Sequence, residues 1–450
     1  MGVIIMKLEN LQNLLSEKKY SEVKNILVDM NAYDTASLIE ELPSEELIKV
    51  FRLLPKKMAT DVFVNLDDEV QKNLIALLTK KEATELIEDM YTDDAVDLFE
   101  EMPAIMVNSL LSNVTAETRN DINRLLKYPE NSAGSLMTTE YIHLKKGLTI
   151  KKSIERIRAQ ADDFVSYDSC FVTDNERKLL GKVSIKDLLI NDPKTLIDNV
   201  MEECEHFVTT TVDQEIVARY FQDYNYSSLP VVDIENRLVG IITIDDIVDI
   251  LEEETTEDIE KMAAIVPTEK TYDKTSVLET YKARIPWLLL LMISATFTGK
   301  IIQGFENQLA AYTILTAFIP MLMDTGGNAG GQASVSIIRA LSLNDIEFKD
   351  IFKVIFKEFR VSLLCAITLG ICNFIKILLI DRVSVLVALT VCFTLAVTVI
   401  MAKLIGCILP MLAKKMGFDP AVMASPLITT IIDATSLLVY FNIATMLLHL

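Results

Sequence analysis

Apolar positions along the first 126 residues recur with a fixed period. Leu42, Leu66, Met90 and Val114 are spaced 24 residues apart. Phe51, Ile75 and Phe99 follow the first three at nine residues, and Leu54, Leu78, Met102 and Leu126 follow all four at twelve. Acidic residues come after the first position each time: Glu45-Glu46, Asp67-Asp68, Asp93-Asp94, Glu117. Helix-type apolar spacing at so long a period predicts a stacked helical repeat. No unit of such a stack has apolar surface enough to fold alone, so neighbours bury one another's faces. Pro43, Pro55 and Pro103 fall where helices should start or stop. The pattern breaks at 128–134 (YPENSAG), which reads as a linker.

A second kind of repeat follows. Phe171-Val172-Thr173-Asp174 leads through a turn to Leu180-Gly181-Lys182-Val183-Ser184-Ile185-Lys186-Asp187. Fifty-nine residues on, Pro230-Val231-Val232-Asp233 leads to Leu238-Val239-Gly240-Ile241-Ile242-Thr243-Ile244-Asp245-Asp246. Each copy predicts strand, polar turn, strand, helix. The order GxxSxxD or GxxTxxD in both copies resembles a tandem pair of CBS modules, from about 137 to 251. CBS pairs bind adenine nucleotides. The resemblance puts Ser184, Asp187, Thr243 and Asp246 where hydroxyl and carboxylate would meet ribose and phosphate; the same residues read equally well as caps of the following helices. Residues 252–280, acidic and then polar, predict a connecting helix that Pro267 ends or bends.

Five apolar stretches close the chain, at 285–303, 309–339, 361–380, 383–413 and 421–450. Each has the roughly 20 mainly apolar residues that a bilayer crossing needs. Lys300, Lys376 and Lys403 lie toward span ends, where a long side chain can reach water. With the N-terminus inside, Lys349, Lys353, Lys357 and Arg360 fall in one cytosolic connection and Lys414 and Lys415 in another. That obeys the positive-inside rule and puts the C-terminus outside.

Charge is as uneven as hydropathy. Residues 283–450 hold 12 Lys and Arg against 9 Asp and Glu, which leaves 31 against 55 in the first 282, a balance of −24. Such acidity argues against nucleic acid as a partner and suits cations. Six scattered cysteines without a CxxC give neither a disulfide framework nor a zinc site. The short apolar patch at 1–6 is not a signal peptide, so the acidic part is expected in the cytosol. No HExxH, GxSxG or P-loop occurs and the three histidines are dispersed, which argues against an enzyme.

Two acids sit well inside apolar spans. Asp433 has twelve uncharged residues before it from Ala421 and lies near the bilayer midplane, where a charge costs a few kcal/mol unless a partner, water or ion offsets it. Asp419 is a good N-cap and Pro420 a good first helical residue, while Pro426 should free a carbonyl one turn back. Thr429 and Asp433, four apart, share a face that offers only oxygen, as a hard cation requires. The other acid, Asp324, precedes Thr325-Gly326-Gly327-Asn328-Ala329-Gly330-Gly331-Gln332. Four glycines there predict either a loosened helix or a close helix crossing. Asn328 and Gln332, at i and i+4, favour a polar lining.

These segments together resemble the MgtE magnesium transporter family. The resemblance rests on TGGNAGGQAS, on RIPW at 284–287, on DPAVMASPLITTIIDATSLL, on YPENSAGSLM, on the CBS pair and on the acidic helical repeats, in the family's order over nearly the whole chain. It implies a homodimeric, channel-like transporter of Mg2+, with Co2+ and similar ions as further candidates, in the cell membrane. The implied architecture is a superhelical repeat N-domain (1–129), α/β CBS domains (137–198 and 199–251), a plug helix (252–280) and an α-helical five-span domain (281–450). The family's pore acid falls on Asp433; Thr429 and Asn328, from their own places in the chain, are the further candidate metal ligands there. Its Mg2+ sensor falls on Asp246, Asp249, Glu254, Glu257 and Asp258, with Asp94, Asp213 and Glu215 as further members. ATP is the implied regulatory ligand. The chain departs from members that carry Asn at Gly331 and Ser425, or a sensor acid at Asn225. The rival readings are a proton-coupled cation carrier with Asp433 as proton site, and a membrane-anchored nucleotide sensor.

Overall fold

The computed structural model describes residues 2–160, 164–166, 168–268, 272, 274–423 and 425–449. Its contacts divide the chain into two units, Met1–Leu251 and Glu252–Leu450.

The first unit opens with ten helices among the described residues: α1 (Gly2–Ser16), α2 (Tyr20–Val28), α3 (Ala32–Glu40), α4 (Ser44–Phe51), α5 (Lys56–Val64), α6 (Asp68–Leu77), α7 (Lys80–Asp89), α8 (Thr92–Glu100), α9 (Ala104–Leu111) and α10 (Ala116–Leu125). From α4 on, each 24-residue period is one helix pair. Leu42, Leu66, Met90 and Val114, none more than 9% exposed, sit just ahead of α4, α6, α8 and α10. Helices pack on the next but one, α4 on α6, α5 on α7 and so on to α8 on α10, which makes a two-row solenoid. Pro43, Pro55 and Pro103 each hold an N-cap position, where the ring interrupts no ladder bond. Arg52–Glu82 and Lys56–Asp89 bridge neighbouring repeats at 2.9 and 2.8 Å. Exposed pairs of this kind contribute at most about 1 kcal/mol, so the buried Leu, Val and Phe residues hold the stack.

Two three-stranded sheets follow. In the first, β1 (His143–Lys145) pairs parallel with β2 (Ser169–Thr173), and β2 pairs antiparallel with β3 (Leu179–Ser184); α11 (Ile150–Ala159) and α12 (Ile185–Ile190) accompany them. The second repeats the plan with β4 (Val208–Thr209), α13 (Gln214–Tyr224), β5 (Ser228–Val232), β6 (Leu238–Thr243) and α14 (Ile244–Met262). The halves meet through reciprocal bonds, Leu179 N–H to Asn236 O and Leu238 N–H to Arg177 O, over a shared core of Tyr141, Phe171, Val232 and Ile241. Residues 128–134, expected as a linker, are instead built into the second half. Ala133 N–H donates to Val212 O at 2.7 Å and Gly134 N–H to Thr210 O at 2.9 Å. A Cβ on Gly134 would meet the Tyr128 ring at 2.5 Å, so glycine serves close approach there rather than looseness.

The connecting helix expected at 252–280 is the continuation of α14, which stops after Met262, ahead of Pro267. Beyond it come α15 (Val277–Gly304), α16 (Glu306–Ala311), α17 (Ile319–Ser342), α18 (Ile351–Lys376), α19 (Val385–Lys415) and α20 (Ser425–Leu448). Among the described residues, four helices are long and apolar enough to cross a membrane, at Val277–Gly304, Phe348–Asp381, Val385–Lys415 and Pro426–Leu448. The fifth long helix, α17, carries the glycines and polar residues that lower its hydropathy. Those glycines do not loosen it: α17 is helical throughout and is the hub against which α19 and α20 pack. A Cβ on Gly330 would overlap Ile432 and lie 3.0 Å from Ala402 O, and one on Gly406 would strike the Gly330 carbonyl. Small residues thus set the helix separation. Gly330→Ala is expected to destabilise the bundle by about 1–3 kcal/mol through overpacking. Melting of the detergent-solubilised protein reads this, with Gly299→Ala, whose Cβ meets nothing within 4 Å, as the unchanged control.

Lysines near the spans behave differently from one another. Lys376 pairs with Asp381 at 2.9 Å, and Lys414 Nζ donates to Leu341 O and to Asn344 Oδ1, closing the end of α17. Lys403, expected to reach water, is 6% exposed, because its face of α19, with Val399, Gly406 and Cys407, packs inward.

Candidate functional site

Asp324, Asn328 and Gln332 form an exposed stripe at four-residue spacing on α17, offset from the glycine seam. Asp433, partly buried on α20, lies within electrostatic range of Asp324. The absent side chain of Gly327 lets Thr429 approach, with its Cγ2 3.1 Å from where a Cβ would stand. The facing helices α17 and α20 therefore bring the Asp324–Asn328 stretch toward Thr429 and Asp433. Pro426 does not free a carbonyl as expected. It occupies the first turn of α20, where no ladder bond is lost, and its own carbonyl accepts from the Thr429 and Thr430 hydroxyls at 2.9 and 3.0 Å. Asp419 caps as expected, its Oδ1 accepting from Ala421 N–H at 2.8 Å. Among the described residues, no three His, Cys, Asp or Glu side chains are grouped to hold a metal. One or two carboxylates with hydroxyl and amide oxygens suit Mg2+ all the same, since it dehydrates reluctantly and keeps several waters.

In the first unit, the acids of α8 face those at the start of α14. Burial, reinforced by Asp246, Asp245 and Glu140, pushes the Asp94 carboxyl up to about 7. Burial and Asp245 raise Asp246 to about 6, against the Thr243 hydroxyl that donates to it at 2.8 Å, and Asp249 adds to the rise. Asp93 is 8% exposed, its carboxyl lies well above the usual range because of burial and Asp94, and its Oδ1 has no hydrogen-bond partner. Glu140 completes the cluster, accepting from Thr92 Oγ1 at 2.5 Å and Thr138 Oγ1 at 2.7 Å. A buried carboxylate oxygen without a donor, among like charges, is the environment a hard cation relieves. Asp93 and Glu140 were not singled out from the sequence; Asp93 alone carried a signal, as half of the Asp93-Asp94 pair.

The remaining sensor candidates are engaged locally. Asp213 caps α13 through Glu215 N–H, and Glu215 pairs with Arg219 at 2.9 Å. Asn225 takes the left-handed C-cap of α13, a position that favours Asn over an acid. Asp258, whose carboxyl is raised by burial and by Asp419, accepts from the Ser342 hydroxyl at 3.3 Å. Glu257 pairs with Lys261, and Glu254 lies one turn back on the same helix.

The nucleotide candidates fall at helix starts. Ser184 Oγ accepts from Asp187 N–H at 3.0 Å and donates to its carboxylate, and Thr243 donates to Asp246 in the same way. None of the four lines the cleft of about 540 Å³ found in the CBS pair. Its lining includes Phe171, Lys182, Glu202, Glu203, Glu205, His206, Tyr226 and Ser228. His206 Nδ1 is 2.7 Å from the Tyr226 hydroxyl and its ring lies against Tyr224, with centroids 4.0 Å apart. Ser228 is 8% exposed and its hydroxyl has no partner. The GxxSxxD pattern pointed to the cap and not to this wall, whose residues follow no repeat.

A helical solenoid and a CBS pair, joined to a multi-helix apolar unit with a carboxylate-bearing face, are the plan of an ion transporter. Family models agree: MgtE intracellular N domain at 30–131, CBS domain at 133–192 and 197–253, and MgtE divalent cation transporter at 319–443. The chain is 36% identical over 447 residues to Magnesium transporter MgtE of Thermus thermophilus, covering 98% of each. To Magnesium transporter MgtE of Bacillus subtilis it is 32% identical over 440 residues, covering 97% of this chain and 96% of that one. Among solved structures, the cytosolic domain of the Mg2+ channel MgtE in complex with ATP matches 54% of this chain and 99% of its own, at TM-score 0.52 and 33% identity. The chain belongs to the MgtE family of divalent cation transporters.

Proposed function

We propose that the chain is a passive, Mg2+-gated conduit that admits Mg2+, and Co2+ or similar ions less selectively, across the cell membrane. Asp433, with Thr429 and Asn328, holds the hydrated ion. The carrying observation is the exposed Asp324–Asn328–Gln332 stripe on a helix packed among membrane-length neighbours. Polar side chains facing lipid are costly, and a second copy of the chain, closing the stripe into a water-filled seam, removes that cost. The solenoid and CBS pair lie in the cytosol, where hydrated Mg2+, drawn to the acids around Asp94 and Asp246 by their charge and holding them through its water shell, shuts the conduit. Mg2+ flux into proteoliposomes, with and without an imposed voltage, tests the reading. Uptake that follows voltage and ion gradient supports a conduit, and uptake that requires a proton gradient overturns it.

The CBS cleft fits a nucleotide base and ribose, with an aromatic wall and an orphan hydroxyl as recognition elements. Three glutamates against one lysine repel bare phosphates, so ATP enters with Mg2+ on its phosphates. Calorimetry on the full chain should show ATP heat that grows with Mg2+, and Tyr226→Ala should weaken binding about tenfold if the ring stacks on the base. Absence of ATP heat at millimolar Mg2+ removes the nucleotide from the account.

A further inference from the structure

The last turn of α14 touches both helices that carry the membrane acids. Lys261 Nζ is 2.8 Å from Asp419 Oδ2 and 2.5 Å from Glu257 Oε1. The other Asp419 oxygen caps the turn that leads into α20. Asp258, one turn before Met262, accepts from Ser342 at the end of α17. Met262 itself packs against Ile338 of α17 and Ala421 ahead of α20. One helical turn thus holds the ends of α17 and α20 together by an ion pair, a hydrogen bond and an apolar contact.

The charge count at this junction is unbalanced. Glu257, Asp258 and Asp419 stand around one ammonium, and the Lys261 side chain is only 23% exposed. Without Lys261, three carboxylates would face one another where the helices meet, and like charges that close separate. We propose that Lys261 is a tethered cation of the gate: its ammonium sits among the carboxylates that a divalent ion would otherwise bridge, and so holds the end of α14 against α17 and α20. Mg2+ then adds to a latch that is already partly neutralised, and Lys261 sets the Mg2+ concentration at which the conduit closes. This inference rests on the reading of α14 as a Mg2+-driven gate and goes beyond it by assigning the gate its own cation.

The test is Mg2+-dependent closure of the full-length protein in proteoliposomes, with internal Mg2+ varied and flux read at each level. Lys261→Met should raise the closing Mg2+ concentration about fivefold, the effect of one partly buried charge pair, and leave flux at low Mg2+ unchanged. Lys261→Arg, which keeps the charge, should close as wild type does. Asp419→Asn should shift closure in the same direction, and the double variant Lys261→Met with Asp419→Asn should shift it no further than the larger single change. Additive shifts, or failure of Arg to restore closure, would assign Lys261 a packing role and overturn the latch. Closure of Lys261→Met at the wild-type Mg2+ concentration would overturn it too. A wild type that does not close with Mg2+ at all defeats the gating reading itself, which keeps the two failures apart.

Discussion

Asp433→Ala is expected to abolish Mg2+ uptake while the protein still inserts in the membrane, the largest effect of any single substitution. Asp433 projects from an α20 that is otherwise without charge from Ser425 to Leu448. A carboxylate at that depth offsets several kcal/mol of the cost of bringing a cation away from bulk water, so its loss should lower flux by about a hundredfold or more. Asp324, in electrostatic range, sits on a different helix and is not expected to substitute for it. Flux assays with a Mg2+-sensitive dye inside vesicles read the loss, and wild-type uptake by the variant would dismiss the pore assignment. Asp433→Asn separates conduit from proton carrier: retained metal flux without proton coupling would favour the carrier.

The second large effect concerns the acids between α8 and α14. Asp94 titrates at about 7 and Asp246 at about 6, both above the unfolded value of about 3.9. Between those limits the folded protein holds protons that the unfolded chain has released, so the stability these two groups contribute falls as pH rises from about 4 to 7. Mg2+ should restore what the rise in pH removes. Metal binding should therefore release protons near neutral pH and weaken at pH 6 relative to pH 8. Asp94→Asn with Asp246→Asn removes the repelling charges and the metal ligands together. The double variant should melt several degrees higher than wild type at pH 8 without Mg2+, gain little from Mg2+, and conduct at Mg2+ levels that close the wild type. Melting curves with and without Mg2+, and calorimetry in buffers of different ionisation enthalpy, check each part. Equal Mg2+ stabilisation of variant and wild type would place the sensor elsewhere.

The larger plan was legible because its signals are periodic. A 24-residue recurrence of buried Leu, Met and Val marks a helix pair, and two copies of strand, turn, strand, helix mark the CBS halves. Glycine was harder to interpret, since the same residue serves both looseness and close approach. Gly134 and Gly330 both proved to be contact positions, which depends on neighbours far away in sequence, Thr210 and Ala402. Lys403 is buried for a related reason: distance from a span's end is local, but the face it occupies on α19 is decided by packing. The acids of α8 and α14 are visible as runs, yet Glu140 joins them only through the fold. The motif residues Ser184 and Thr243 cap helices, while the cleft walled by His206, Tyr226 and Ser228 has no repeated counterpart and leaves no periodic signal.

The outward-facing stripe of Asp324, Asn328 and Gln332 also has a genetic consequence. If each chain furnishes half of a shared conduit, an inactive copy is not simply silent. It enters assemblies with working copies and disables them. Co-expression of Asp433→Ala with wild type in equal amounts should leave roughly a quarter of assemblies intact, by random pairing in a two-fold dimer. Residual transport in such cells should therefore fall well below half, a dominant-negative outcome. A chain that conducted alone would give half, so the dose response of co-expressing cells counts the subunits in the pore.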